Sequence, residues 1–302
     1  MERGFLFISA ILLSLLIFGC ASQTSSVEPT ASNVNSSNLN VSAPPATPSI
    51  KPLTNQTNYS KTNVSAQSKI SNNETLKIAS WNLQIFGEKK AQNATLMAFY
   101  ADTMRQYDIT FIEEIRDSSG TAFPKLCALM EGYNCLNSSR AGRSSSKEQY
   151  GVIYKKVSIV SMKDYNPDIQ DRWERPPFQI TFKRGNYTFT ALVEHAKPDD
   201  APKEMSALNA LASNMSGNLV VLGDLNADCN YYTNKTDFKG SWFWALKTGT
   251  DTTTGNTNCT YDRMIFNSDM KNEYIASGVF SDGINSSISD HYLVWSEIKT
   301  GE

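Results

Sequence analysis

The chain has 302 residues, enough for one large domain or two ordinary ones, and its 40% hydrophobic and 11% aromatic content suits a sizeable core. Its formal net charge is −2, with no long block of either sign. That balance excludes a protein that grips nucleic acid through a basic face alone, so a phosphate ligand would call for a metal ion as well.

The first twenty residues read as a targeting segment. Arg3 precedes an apolar run from Phe5 to Phe18, too short for a comfortable membrane span. It ends Leu16-Ile17-Phe18-Gly19-Cys20, which resembles a prokaryotic lipobox and predicts lipidation of Cys20. An ordinary signal peptide or an uncleaved anchor is the alternative, because Phe18 is bulkier than the small residue usual there. Each reading exports the chain, as a lipid-anchored surface protein or a secreted one. Residues 21–75 are rich in Ser, Thr, Asn and Pro, and sequons recur at Asn35, Asn40, Asn55, Asn58, Asn63 and Asn73. Such composition predicts a flexible, glycosylated tether ahead of a folded domain over 76–302. Five cysteines are present, and with Cys20 set aside Cys127, Cys135, Cys229 and Cys259 make an even four, which favours disulfides outside the cytoplasm. No CxxC pair points to zinc.

In chain order, Leu76–Asn82 alternates like a strand, and Ala91–Gln106 carries apolar residues at helical spacing with Asn93 or Thr95 as cap. Asp108–Ile112 is a second strand, ending in Glu113-Glu114, and a helix follows from Ala122 to Met130. Gln149–Tyr154 reads as a strand. Phe178–Lys183 and Tyr187–Glu194 flank Arg184-Gly185-Asn186 as a hairpin and deliver His195. Ala201–Met215 is helical by composition. Val220-Val221-Leu222-Gly223 is a buried strand that sets out Asp224, Asn226 and Asp228. Trp242–Leu246 reads as a short helix, Tyr261–Phe266 as a strand, and Ser289-Asp290-His291 opens onto a last strand. Hairpins beside strand–helix–strand units predict an α/β domain of two mixed sheets face to face with helices outside.

The polar residues that end these strands carry the chemistry: Asn82, Glu114, His195, Asp224, Asn226, Asp262 and His291. Both histidines of the chain are among them. Histidine moves protons near neutral pH, and a carboxylate behind it sets the tautomer and stabilises the cation. Glu, Asp and Asn oxygens suit Mg²⁺, which orients phosphates. Two imidazoles beside a hard-oxygen site point to hydrolysis of a phosphate ester.

Six blocks resemble the pancreatic-type deoxyribonuclease family of the endonuclease/exonuclease/phosphatase superfamily. They are Ala79-Ser80-Trp81-Asn82, Phe111 to Asp117, Lys147 to Tyr150, Gly223 to Cys229, Thr257 to Arg263 and Ser289 to Tyr292. The resemblance spans about Leu76 to Ile298 and implies a four-layer α/β sandwich that hydrolyses DNA. It pairs His195 with Glu148 and His291 with Asp262, one imidazole activating water and the other protonating the leaving 3′ oxygen. It also implies Mg²⁺ or Mn²⁺ among Asn82, Glu114, Asp224, Asn226 and Asp290, and a structural Ca²⁺ at Asp251, Thr253, Gly255 and Thr257. DNA contacts fall to Arg116, Arg175, Asn226 and Tyr231, on a double-stranded substrate and a monomeric enzyme. Bridges Cys229–Cys259 and Cys127–Cys135 are expected. The family's minor-groove tyrosine is Ser146 here, an arginine after the first strand is Gln84, and a second calcium loop near Asp171 has Pro176 in place of an acidic ligand. Two other readings remain at this stage: the same site acting on lipid, inositol phosphate or RNA, and an inactive surface-binding protein.

Overall fold

The computed structural model describes residues 74–233 and 236–301. The targeting segment, Cys20 and the six tether sequons lie outside the described residues. The first strand begins at Thr75, the last position assigned to the tether.

Among the described residues twelve strands form two six-stranded sheets. The first holds β1 (Thr75–Phe86), β2 (Ile109–Ile115), β3 (Asn134–Asn137), β4 (Gln149–Tyr154), β11 (Tyr274–Phe280) and β12 (Leu293–Lys299), in the spatial order β11-β12-β1-β2-β4-β3. The second holds β5 (Ser158–Asp164), β6 (Phe178–Arg184), β7 (Tyr187–Val193), β8 (Asn218–Asp224), β9 (Phe243–Trp244) and β10 (Asp262–Phe266), in the order β5-β6-β7-β8-β10-β9. Each sheet has one parallel pair, β1–β2 and β7–β8, and its other pairs are antiparallel. A parallel pair needs a crossover. α1 (Glu88–Ala91) and α2 (Ala94–Met104) supply the first, and α4 (Ala201–Ser213) the second. α3 (Ala122–Ala128) follows β2, and α5 (Ser268–Lys271) follows β10. No described helix is long and apolar enough to cross a membrane.

Strand alternation explains the layers. On β1, Leu76 and Ile78 enter a core shared with Phe111 of β2 and with Phe182, Phe189, Val220 and Phe266 of the other sheet. Ala79, Trp81 and Leu83 face the opposite way, against Tyr100 and Met104 of α2 and Phe123 of α3. Behind the second sheet, Leu219, Val221 and Ile265 meet Met205, Leu208 and Ala212, which share one face of α4. Three apolar layers between four layers of structure make the α/β sandwich. Asn93 caps α2, its Oδ1 accepting from Leu96 N at 3.1 Å. The Asp117 carboxylate does the same for α3, accepting from Thr121 N and Ala122 N at 2.6 and 2.7 Å.

Trp242–Leu246 is not a helix. Phe243 and Trp244 form a two-residue strand paired with Phe266 and Ile265, because the aromatic side chains there gain more by packing on β10 than an isolated turn would supply. Both expected disulfides are present, Cys127–Cys135 and Cys229–Cys259. Beside the second, buried Arg263 donates to Leu246 O and Ala227 O, and its Nη2 lies 3.3 Å from Asp228 Oδ2, which accepts from Thr260 N. These contacts tie the turn after β8 to the loop before β10.

The sandwich is tightest where β7 leaves β8. Gly223 has φ +131°, and a Cβ there would lie 2.0 Å from the Glu194 carbonyl oxygen. No side chain fits such a gap without moving backbone. Gly223→Ala is therefore expected to lose more than about 4 kcal/mol, the range reserved for severe backbone or core damage; chemical denaturation would measure it, and a near-wild-type midpoint would contradict this close approach.

Candidate active site

Both parallel pairs bring their carboxyl ends to one rim, where open α/β sheets keep ligands. β1 carries Asn82, β2 Glu114 and β8 Asp224, with His195 just past β7. Glu148 immediately precedes β4, His291 precedes β12, and Asp262 opens β10 directly opposite Asp224 in the ladder.

These side chains converge on one atom. Asp224 Oδ2 accepts from Asn82 Nδ2 at 3.0 Å and lies 3.4 Å from Nε2 of both His195 and His291. Each ring turns its other nitrogen to a second carboxylate: His195 Nδ1 is 3.2 Å from Glu148 Oε2, and His291 Nδ1 is 2.8 Å from Asp262 Oδ2. All six residues are buried or nearly so. Backbone contacts hold the rings. Ser289 Oγ accepts from His291 N and donates to Asn82 O, while His195 N donates to the Tyr150 phenol, which donates to Arg175 O.

Asn82 Nδ2 also donates to Glu114 Oε1 at 3.2 Å, so one amide spaces two carboxylates. Glu114 and Asn226 sit in left-handed backbone, φ 61° and 47°, a strained setting typical of functional turns. Two trios have ligand atoms close enough to share an ion: Glu114, Glu148 and His195, and Asp224, Asp262 and His291. Asp290 belongs to neither, yet its Oδ1 is buried without a hydrogen-bond partner. A cavity of about 370 Å³ opens onto Glu114, Asp224, Asn226, Asp290 and both histidines.

A model of the endonuclease/exonuclease/phosphatase family matches residues 79–291. Deoxyribonuclease-1 of Gallus gallus is 32% identical over 216 residues, covering 63% of this chain and 77% of that protein. Deoxyribonuclease-1 of Bos taurus is 29% identical over 256 residues, covering 73% and 91%. The chain belongs to this family, on its DNase I-like branch. Among solved structures, a mannosyl-6-phosphatase of Bacteroides thetaiotaomicron shares the fold at TM-score 0.55 with 16% identity, over 73% of this chain and 98% of its own. The catalytic domain of human Nocturnin does so at 0.52 with 13%, over 74% and 93%.

In this DNase I-like chain the arginines are placed differently from one another. Arg175 is buried and faces inward. Its Nη1 lies 2.8 Å from Glu148 Oε1, its Nε donates to His195 O, and its Nη2 is buried without a hydrogen-bond partner. Arg116 Nε sits between two carboxylates, 3.1 Å from Glu114 Oε2 and 3.9 Å from Glu148 Oε2. Both arginines line a shallow basin with Arg143, Ser146 and Lys197. Asn226 Nδ2 donates to Ala196 O, so that side chain braces the His195 segment. Tyr231 stands at the cavity wall, its ring 5.4 Å from that of Tyr261.

Thr253, Gly255 and Thr257 line the same cavity, and Thr253 bridges His291 by backbone. The Asp251 carboxylate is turned onto Thr253 N at 3.1 Å. In the 165–177 loop, arginines meet the acidic groups: Arg143 contacts Asp171 at 2.7 Å and Glu174 at 3.1 Å, and Arg172 grips Asp168 at 2.8 Å. Ser289, Tyr150 and the inward turn of Arg175 escape sequence reasoning. Only the Ser-Asp-His adjacency hinted at the first.

Burial works against charge here, and neighbours decide the outcome. Burial pushes the Glu148 carboxyl up, but the charges of His195, Arg175 and Arg116 hold it down to about 2. Asp224 is likewise held below its ordinary value, burial being outweighed by the two histidines and the Asn82 amide. Burial would depress His291, yet Asp262, Asp224 and Asp290 outweigh it and raise the imidazole well above 6.5. Burial pushes the Asp262 carboxyl up and the His291 charge opposes it. With three carboxylates around the ring, the proton of this pair resides on His291.

A raised imidazole pKa stabilises the fold fully below the ordinary 6.5 and loses that contribution as pH climbs through the elevated folded value. In EDTA the thermal midpoint is therefore expected to decline above about pH 6.5, and the decline to flatten in His291→Asn. Scans from pH 6 to 9 would show it; an identical slope in the variant would remove His291 as its source.

Proposed function

We propose that this chain is an exported, metal-dependent endonuclease that hydrolyses DNA phosphodiester bonds. The observation that carries the reading is the pair of imidazole–carboxylate couples, His195–Glu148 and His291–Asp262, whose Nε2 atoms both lie 3.4 Å from one oxygen of Asp224. Hydrolysis of a phosphate diester needs a proton taken from water on one side and one given to the leaving oxygen on the other. His291, held protonated, suits donation to the leaving 3′ oxygen. His195, oriented by Glu148, suits acceptance from water. Arg175 positions Glu148 from behind, and Arg116 and Tyr231 face the substrate.

The donor set fits a hard cation. Glu114 and Asp224 are spaced by one amide, Asn226 stands beside them, and Asp290 Oδ1 is a buried oxygen without a partner. Mg²⁺ or Mn²⁺ held by Asn82, Glu114, Asp224, Asn226 and Asp290 would counter the charge that gathers on the phosphate in the transition state. Calcium at Asp251, Thr253, Gly255 and Thr257 would stiffen the cavity wall. Export is read from the residues before the domain and agrees with the two disulfides; lipid on Cys20 and a tether ahead of β1 complete the proposal.

Plasmid DNA incubated with the purified chain should be nicked with Mg²⁺ and Ca²⁺ and left intact in EDTA. His195→Ala and His291→Ala should each lose on the order of a thousandfold or more, and the double variant little beyond either, because groups acting as one unit are not additive. Hydrolysis of a small phosphate diester without cleavage of DNA would shift the substrate to another ester. Near-wild-type DNA cleavage by His195→Ala would end the mechanism.

The metal can be tested apart from turnover. Mg²⁺ or Mn²⁺ should raise the thermal midpoint of the chain, as any ligand bound by the folded state does. Glu114→Gln should blunt that rise. An equal rise in the variant would take Glu114 out of the ligand set.

A further inference from the structure

Two consecutive residues at the mouth of the site, Gln84 and Ile85, hold left-handed backbone at φ 44° and 53°. Isoleucine is among the residues least suited to that region, since its branched Cβ crowds the neighbouring carbonyl. The conformation serves a contact: Ile85 N donates to Glu114 Oε2 at 2.8 Å, and Arg116 Nε lies 3.1 Å from the same oxygen. Ile85 and Arg116 therefore flank one carboxylate at the rim. Glycine or asparagine would deliver the same N–H with less strain.

Packing does not account for the isoleucine either. The residue is 58% exposed, one of the few large apolar groups the described surface leaves open. A side chain that neither suits its backbone nor buries itself has its use outside the free protein. Scattered exposed apolar residues need no explanation, but the left-handed backbone and the place beside Glu114 set this one apart.

We infer that Ile85 is a substrate-contacting residue, an apolar wedge against the deoxyribose and base edge beside the scissile phosphate, next to the Arg116 guanidinium. The inference rests on the DNA-cleaving reading above. Aliphatic side chains inserted in this way gain contact with the hydrocarbon faces of a narrow groove and part its base steps. Ser146, which lines the basin with Arg116, offers no such surface. Recognition is then divided: Arg116 reads negative potential, and Ile85 supplies the apolar contact and a preference for steps that part easily.

The test is Ile85→Asn, which accepts left-handed backbone and keeps the N–H on Glu114. Its thermal midpoint should equal or exceed that of the wild type. Its affinity for a fluorescent 20-base-pair duplex, by anisotropy with Mg²⁺ in a non-cleaving His195→Ala parent, should fall roughly tenfold or more, the scale of one aliphatic side chain losing its buried contact. Ile85→Val, which retains the branched surface, should bind within about fourfold of its parent, having lost a single methylene's worth of contact. Should the asparagine variant fold poorly, Ile85→Gly carries the same comparison. Parental affinity in Ile85→Asn overturns this inference alone. Failure of the His195→Ala parent itself to bind duplex with Mg²⁺ overturns it together with the DNA reading.

Discussion

One carboxylate oxygen, Asp224 Oδ2, lies within 3.4 Å of two imidazole nitrogens and accepts from an amide, among side chains that are themselves buried. Three buried carboxylates, Glu148, Asp224 and Asp262, would repel one another and the low-dielectric interior at once. The two rings and Arg175 make the cluster tolerable, and the cluster in turn keeps a proton on His291. Stability and chemistry draw here on the same charges, so a substitution that empties any one position exposes the others.

Holding that arrangement is the task of the surrounding backbone. Gly223 lets β8 run hard against the end of β7, which sets Asp224 beside His195. Opposite, the ladder places Asp262 across from Asp224, while Arg263, Asp228 and the Cys229–Cys259 bridge clamp the loops on either side. Ser289 links His291 to Asn82 of β1 by two hydrogen bonds, 2.6 and 3.1 Å long. Left-handed residues gather at these same strand ends: Gln84, Ile85, Glu114 and Asn226. Strain is concentrated where geometry is most demanding, and the three apolar layers behind it supply the rigidity.

Much of this could be read from residue order alone. Alternation in Leu76–Asn82 announces a strand, and the polar residue at each strand end announces the rim. Both histidines fall there, and six motif blocks in sequence carry the fold. What escaped is non-local. Phe243-Trp244 looked helical because local apolar crowding has no direction until β10 is beside it. β5 went unseen because as an edge strand it is largely exposed and lacks a clean period. The inward turn of Arg175 depends on Glu148, 27 positions earlier, and the arginine pairs of the 165–177 loop depend on Arg143. Charge partners chosen across such distances leave no spacing to read.

The two sheets are also two stretches of chain, since β5 to β10 form one and the flanking strands the other. Glu148 and His291 adjoin the first sheet, His195 and Asp262 the second. Each imidazole–carboxylate couple is therefore assembled from opposite halves, His195 reaching across to Glu148 and His291 to Asp262. Neither half owns a complete couple. A nascent or partly opened molecule carries all four side chains and neither couple, so in the mechanism proposed above hydrolytic capacity arrives only when the sandwich closes in register, and a slip of one sheet along the other parts both couples together.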